Sequence, residues 1–337
     1  MRMLKFALLS GSLAALAAAA SASPYRQVAV TPVPAMPEGD WDQLVADETH
    51  NRLYVSAEDG AAMDVFDLTT GALLQAGGPV GSPHKVALDA AAQHLLVADG
   101  QDGTVKVLTP DLRLVKAIPV GARPDTGVLD AEARIFYVSS RNGAGTAPDS
   151  IVSAISLDSL AVVKTFAVPA TTLKGLVQDK PGHRLFVSMR DKDRIGVIAL
   201  DTGEVTTWAA EGLKKSVPLA FDPANQRLYA GSREPGRLTV FDATTGKVVQ
   251  LLPLTETADS MTLDHGGKRL YVSGDTGMSR YAIGKGGVVR FLETDPGVVG
   301  KTSLYVAGLH RLYVMRPRTK DMVAALQVFS VTAGREE

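Results

Sequence analysis

The chain contains no cysteine. That excludes disulfide staples, Cys-ligated zinc, iron–sulfur clusters, a Cys-attached haem and a lipid-modified N-terminal cysteine. It also lacks an excess of either charge: 35 basic and 36 acidic residues leave a net charge of −1. Such a balance supplies no global pull toward nucleic acid or an anionic membrane, so charge-based recognition must be local. No stretch beyond the N-terminal region is apolar for long enough to span a bilayer. There is no nucleophile elbow, phosphate loop, dinucleotide fingerprint or His-Glu-x-x-His. Asp201-Thr202-Gly203 matches an aspartic-protease triplet, yet it falls in a hairpin turn that recurs as Thr-Gly elsewhere and is read as a turn.

At the N-terminus, Arg2 and Lys5 precede the apolar, Ala-rich run from Phe6 to Ala20, and Ala20-Ser21-Ala22 offers small residues for a signal peptidase. The expectation is a signal peptide over residues 1–22, cleaved before Ser23, and a mature protein in the periplasm or secreted. A chain of this size buries about 75% of its unfolded surface and needs no staples; residues 23–337 read as one domain, because a single repeat accounts for nearly all of them.

One pattern then repeats along the chain. Leu53-Tyr54-Val55-Ser56, Leu95-Leu96-Val97-Ala98, Phe136-Tyr137-Val138-Ser139, Leu185-Phe186-Val187-Ser188, Leu228-Tyr229-Ala230-Gly231, Leu270-Tyr271-Val272-Ser273 and Leu312-Tyr313-Val314-Met315 are spaced by 42, 41, 49, 43, 42 and 42 residues. Six residues before the first apolar position stands an aspartate in six copies: Asp47, Asp89, Asp130, Asp179, Asp222 and Asp264; Val306 takes that place in the seventh. A short apolar strand precedes each, and a third strand follows, ending in turns such as Asp67 with Thr70-Gly71 or Asp242 with Thr245-Gly246. Short strands at this period predict an all-β chain, a seven-bladed β-propeller of four-stranded antiparallel blades. The seventh copy runs out after Leu326 to Val331, and the segment Tyr25 to Val33 has strand character but no blade. It is expected to close the ring.

With these residues in view, the Asp-x5-Leu-Tyr-Val-Ser repeat, with the lead-ins Gly81-Ser82-Pro83 and Gly121-Ala122-Arg123-Pro124, resembles the YVTN-repeat β-propeller family over roughly residues 40 to 331. The Asn of that name is replaced by Ala57, Asp99, Ser140, Met189, Ser232, Gly274 and Arg316. The resemblance implies the propeller fold. It says little of function, because similar propellers bind, scaffold or catalyse.

In such a ring, two registers face the mouth of the central channel. Five residues before the repeat aspartate come Asp42, His84, Asp125, Lys174, Val217, Asp259 and Lys301, six of them ionisable. These charges either line a polar ligand cavity or pair with one another. Four residues after the central aromatic position come Glu58, Gly100, Arg141, Arg190, Arg233, Asp275 and Pro317. Three successive blades thus carry Arg, with Lys174 on the rim beside them. Arginine forks suit carboxylate or phosphate. The sharpest expectation is that Arg141, Arg190, Arg233 and Lys174 form an anion-binding sector under the long blade-three loop, which makes the Tyr137-to-Asp158 step 21 residues where Tyr54 to Asp67 takes 13. The alternative is that each Arg pairs with a carboxylate such as Asp125, Asp149 or Asp191.

The leading expectation is an exported, non-catalytic binding or scaffold protein whose top face holds an anionic small molecule or a partner peptide. Nucleic acid is not an expected partner, because top-face aromatics for base stacking are few. The other reading is a periplasmic hydrolase, lactonase or lyase in the channel mouth. His84 would be its general base, Asp42, Asp125 or Asp259 metal ligands, and Arg190 or Lys174 oxyanion stabilisers. A redox-enzyme subunit is a third possibility. No spacing motif marks a metal site and none is assigned; no cofactor is assigned, and the expected state is a monomer.

Overall fold

The structure, a computed structural model, describes residues 23–141 and 150–332. The expected signal peptide and cleavage site, and residues 142–149 of the blade-three loop, lie outside the described residues. Strand β1 (Tyr25–Pro32) comes first. Blade 1 is β2 (Leu44–Asp47), β3 (Arg52–Ala57), β4 (Ala62–Asp67) and β5 (Leu73–Gly77). Blade 2 is β6 (Pro83–Asp89), β7 (His94–Asp99), β8 (Thr104–Leu108) and β9 (Leu114–Pro119). Blade 3 is β10 (Gly127–Asp130), β11 (Ile135–Arg141), β12 (Ser150–Ser156) and β13 (Ala161–Val168). Blade 4 is β14 (Leu173–Asp179), β15 (Arg184–Met189), β16 (Arg194–Ala199) and β17 (Val205–Trp208). Blade 5 is β18 (Leu219–Asp222), β19 (Arg227–Arg233), β20 (Gly236–Asp242) and β21 (Val248–Pro253). Blade 6 is β22 (Ser260–Asp264), β23 (Arg269–Gly274), β24 (Gly277–Ile283) and β25 (Val289–Asp295). Blade 7 is β26 (Thr302–Val306), β27 (Arg311–Arg316) and β28 (Ala325–Val331), completed on its outside by β1.

The seven four-stranded antiparallel sheets, and the closure of the last by the N-terminal strand, are as the repeat requires. Strand β1 runs along β28 from Tyr25 opposite Val331 to Pro32 opposite Ala325. The ring therefore ends in a hydrogen-bonded ladder rather than an open edge. No helix among the described residues is long and apolar enough to cross a membrane.

The repeat residues have distinct physical jobs. The second strand of each blade is packed on both faces by its neighbours, so its apolar run does not alternate with polar residues. Tyr54, Leu96, Phe186, Tyr229 and Tyr313 are buried there between blades. Tyr313 also donates its hydroxyl to the Leu68 carbonyl at 2.5 Å, tying blade 7 to blade 1. The repeat aspartates cap the turn between the first two strands. Asp47 accepts the backbone N–H groups of Thr49 and His50, both at 3.1 Å, and Asp222 those of Ala224 and Asn225 at 3.0 and 3.2 Å. The residue closing each turn, from Asn51 and Gln93 through to His310, takes a positive φ. This is the Asx-turn use of aspartate. Where Val306 replaces the aspartate, a 3-10 turn over Ala307–Leu309 does the work, with the His310 N–H donating to the Ala307 carbonyl. The invariant spacing is thus turn chemistry on the bottom face. It leaves the opposite face to differ from blade to blade.

Candidate functional site

The inner strands deliver their first residues to the channel mouth, and two of these strands are irregular. The β6–β7 register slips between Pro83 and Val86, around His84 and Lys85. The β14–β15 register slips between Lys174 and Leu176, around Gly175. Gly175 has φ +51°, and a Cβ there would lie 2.1 Å from the Val217 carbonyl oxygen, so only glycine fits. Bulges of this kind re-aim side chains at barrel rims and sites. Here they carry His84, Lys85 and Lys174 on the inner strands of blades 2 and 4.

Most rim charges are paired. His84 Nδ1 lies 2.6 Å from Asp42 Oδ2 and 3.7 Å from Glu58 Oε2. Lys174 forms an ion pair with Asp125, and Arg233 with Asp259. Lys301 reaches across the closure to Asp40 at 2.7 Å. Val217, the apolar member of the register, lines the channel.

Two of the three expected arginines meet. Arg141 and Arg190 line one mouth cavity of about 270 Å³, together with Glu58, His84, Asp125 and Lys174. Arg233 is not in its wall; it turns to Asp259. Local structure holds the two arginines in place. Arg141 exchanges backbone hydrogen bonds with Ala122, at 2.7 and 3.0 Å. The Arg190 N–H donates to the Thr172 carbonyl at 2.9 Å, while the Asp191 carboxylate accepts from the N–H groups of Thr171 and Thr172. Asp191 therefore fastens the loop instead of neutralising Arg190; Asp149 lies outside the described residues. Among the described residues, neither Arg141 nor Arg190 has a carboxylate within 4.0 Å of its guanidinium.

Two further cations belong to this region that register counting missed. Arg123 lines the same mouth cavity, also without a carboxylate partner among the described residues, and sits at φ +49°. Its signal was the Gly121-Ala122-Arg123-Pro124 lead-in, where Gly121 at φ +109° lets the chain pass 2.8 Å from the Arg141 carbonyl, measured from the Cβ it lacks. Lys85, next to the rim residue His84, lines the channel below, a second cavity of about 430 Å³ that shares Asp125 and Lys174 with the mouth.

The electrostatics follow from burial and pairing. Burial alone would hold the His84 imidazolium below its ordinary pKa, but the Asp42 hydrogen bond and charge, with Asp125 and Glu58, outweigh it and raise the pKa. Burial likewise pushes Asp42 up, and His84 and Lys174 more than reverse it, leaving its pKa lowered. Lys174 loses stability as an ammonium on burial yet is held charged by Asp125, Asp42 and Asp259. For Asp259 burial wins over Arg233 and the carboxyl is raised; Glu58 is raised the same way, against His84.

These directions predict a pH effect. A raised His84 contributes stability in full below its ordinary value of 6.5, and loses it as pH climbs through the higher folded pKa. The lowered Asp42 contributes above its ordinary 3.8 and loses that as pH falls through its folded pKa. The melting temperature should therefore decline from about pH 6.5 upward, and His84→Gln should flatten that limb. A wild-type profile already flat there, or a variant with the same decline, would show that the pair carries no such linkage.

Among the described residues one group could hold a metal. Ligand atoms of Asp42, His84 and Asp125 lie within 4.8 Å of one another. The set suits a borderline or hard divalent ion, although Lys174 occupies Asp125 as the residues stand.

No family model matches this chain. It is similar to two curated proteins, each described as uncharacterized protein YncE, from Salmonella typhimurium (strain LT2) and Salmonella typhi. Both are 26% identical over 198 residues, which is 57% of this chain and 54% of theirs. The chain thus spans about half the length of the curated relatives it matches. Among solved structures, a chain of the crystal structure of the mitotic checkpoint complex superposes with a TM-score of 0.73, covering 98% of this chain and 99% of that one at 14% identity. That likeness shows the fold.

Proposed function

We propose that this propeller is a binding protein whose channel mouth holds a carboxylate- or phosphate-bearing small molecule, or a peptide that presents such a group. The observation that carries the reading is the cluster of Arg123, Arg141 and Arg190 on one cavity, unpaired among the described residues, while the neighbouring aspartates are already engaged. Charge-assisted forks are the strong, directional contacts of anion recognition. The propeller fold supports a binding or scaffold role, and the repeat resembles that of the YVTN-type propellers. Calorimetric titration with citrate, inorganic phosphate and a neutral sugar tests the reading. Binding of the anions alone, weakening with added salt, is the expected result; no heat with any anion would reject it.

A metal-dependent hydrolase, lactonase or lyase is the second reading, favoured by the Asp42–His84–Asp125 cluster. Metal analysis separates the two: stoichiometric metal in purified protein, lost in Asp42→Asn, would favour the enzyme. Export belongs to the proposal as well, on the Ala20-Ser21-Ala22 site. Protein from a secreting host should begin at Ser23 on N-terminal sequencing, and retained Met1 on membrane-bound protein would refute it.

A further inference from the structure

The mouth cavity is not cationic throughout; its wall changes sign along the ring. Glu58 enters from blade 1, His84 from blade 2, Arg123 and Arg141 from the lead-in and second strand of blade 3, and Lys174 and Arg190 from blade 4. The blades follow one another round the ring in chain order, so blades 1 and 4 stand three steps apart in a ring of seven. Glu58 therefore lies at the far end of the cavity from the arginines. The other carboxylates of this region are engaged, Asp42 by His84 and Asp125 by Lys174. Glu58 is half-buried, and its carboxylate accepts no hydrogen bond among the described residues. Its nearest cation, the His84 imidazole, is 3.7 Å away and turned to Asp42.

A carboxylate without a partner at one end of an anion cavity repels a ligand that is anionic throughout. It attracts one that carries a cation at that end. The cavity, of about 270 Å³, suits a small metabolite better than a longer peptide.

We propose that the mouth selects an acidic amino acid, with its two carboxylates on the guanidinium groups of Arg123, Arg141 and Arg190 and its ammonium on Glu58. Three guanidinium groups facing one unengaged carboxylate match a ligand of two carboxylates and one ammonium. A neutral amino acid leaves part of the arginine cluster unmatched, and a plain dicarboxylate leaves Glu58 unmatched. The inference rests on the anion-binding reading and adds the sign of the group at the far end.

Calorimetry of glutamate against 2-hydroxyglutarate tests this, because the two share a carbon skeleton and differ in an ammonium against a hydroxyl. Attraction by cations alone favours 2-hydroxyglutarate, which carries the larger negative charge. The expected result is the reverse, with glutamate tighter by about tenfold or more, the usual size of a hydrogen bond between charged groups. Glu58→Gln keeps the shape and removes the charge, so it should abolish that preference. The same variant should bind 2-hydroxyglutarate at least as tightly as the parent, since a like charge has left the wall, and that binding also shows that it is folded. Equal or tighter binding of 2-hydroxyglutarate by the parent, or a glutamate preference that survives in Glu58→Gln, overturns the proposal and leaves the anion site standing. Citrate binding without glutamate binding does the same. If citrate and phosphate also give no heat, the anion reading has failed and this one falls with it.

Discussion

Deleting residues 23–35 should lower the melting temperature by about 10 °C or more and expose an edge that associates. The deletion removes the whole of β1. Its ladder with β28, from Tyr25 opposite Val331 to Pro32 opposite Ala325, goes with it. So does the Val33 N–H bond to the Ala324 carbonyl at 2.7 Å. Tyr25 packs edge-on against Phe329, and Val33 lies in the cluster that joins the N-terminal segment to blades 1 and 7 through Trp41, Tyr313 and Leu326. Burying two such side chains contributes about 1.5–3 kcal/mol each. Hydrogen bonds add about 1 kcal/mol apiece, so a loss of at least about 5 kcal/mol is a fair floor; at about 2 °C per kcal/mol this gives the stated shift. The second consequence is kinetic as much as thermodynamic, since β28 would present unpaired N–H and C=O groups to any other chain. Thermal melts with size-exclusion chromatography read both effects, and a synthetic peptide of residues 23–35 should partly restore the melt. An unchanged melting temperature and a monomeric profile would mean that β1 does not hold the ring.

That closure was legible in the sequence, because a repeat that breaks off one strand short must find the strand elsewhere, and Tyr25 to Val33 alone was unassigned. The blades were legible for a similar reason: Asp47, Tyr54 and Asp67 each answer a local demand, a turn, an inter-blade gap and a hairpin, and those demands recur every blade. The site was legible only in part. Register counting brought Arg141 and Arg190 to one mouth because the repeat fixes where each strand ends. It could not say that Arg233 turns to Asp259, since that choice depends on a neighbouring blade's side chain. It also passed over Arg123 and Lys85. Arg123 sits in a lead-in whose positive-φ turn departs from the register, and Lys85 in a bulge that shifts the inner strand by one residue. The candidate site draws on places where the repeat is broken, and a pattern read from the repeat is weakest there.

The contrast between Arg233 and the other two arginines gives the sharper test of the mouth. Arg141→Ala and Arg190→Ala should each weaken citrate binding about tenfold or more, because a hydrogen bond to a charged group contributes about 1.5–3 kcal/mol and about 1.4 kcal/mol is a factor of ten. Together they should cost about a hundredfold if both guanidinium groups grip the same ligand. Neither should shift the melting temperature much, since a solvated charge without a partner stabilises little. Arg190→Lys should recover only part of the loss, because an ammonium keeps the charge but not the fork. Arg233→Ala should do the reverse. It strands Asp259, whose side chain is 16% exposed, in the channel wall, and breaking such a pair costs about 3 kcal/mol of stability. Citrate affinity should stay near wild type, because Arg233 is outside the mouth cavity. Calorimetry and thermal melts on these variants therefore yield a crossed pattern, with binding lost and fold kept for Arg141→Ala and Arg190→Ala, and fold weakened with binding kept for Arg233→Ala. If the Arg141, Arg190 double variant binds citrate as tightly as the parent, the guanidinium groups are solvated rim charges and the anion site lies elsewhere. If Arg233→Ala instead loses binding, the three arginines act as one sector and the Asp259 pair opens when the ligand arrives.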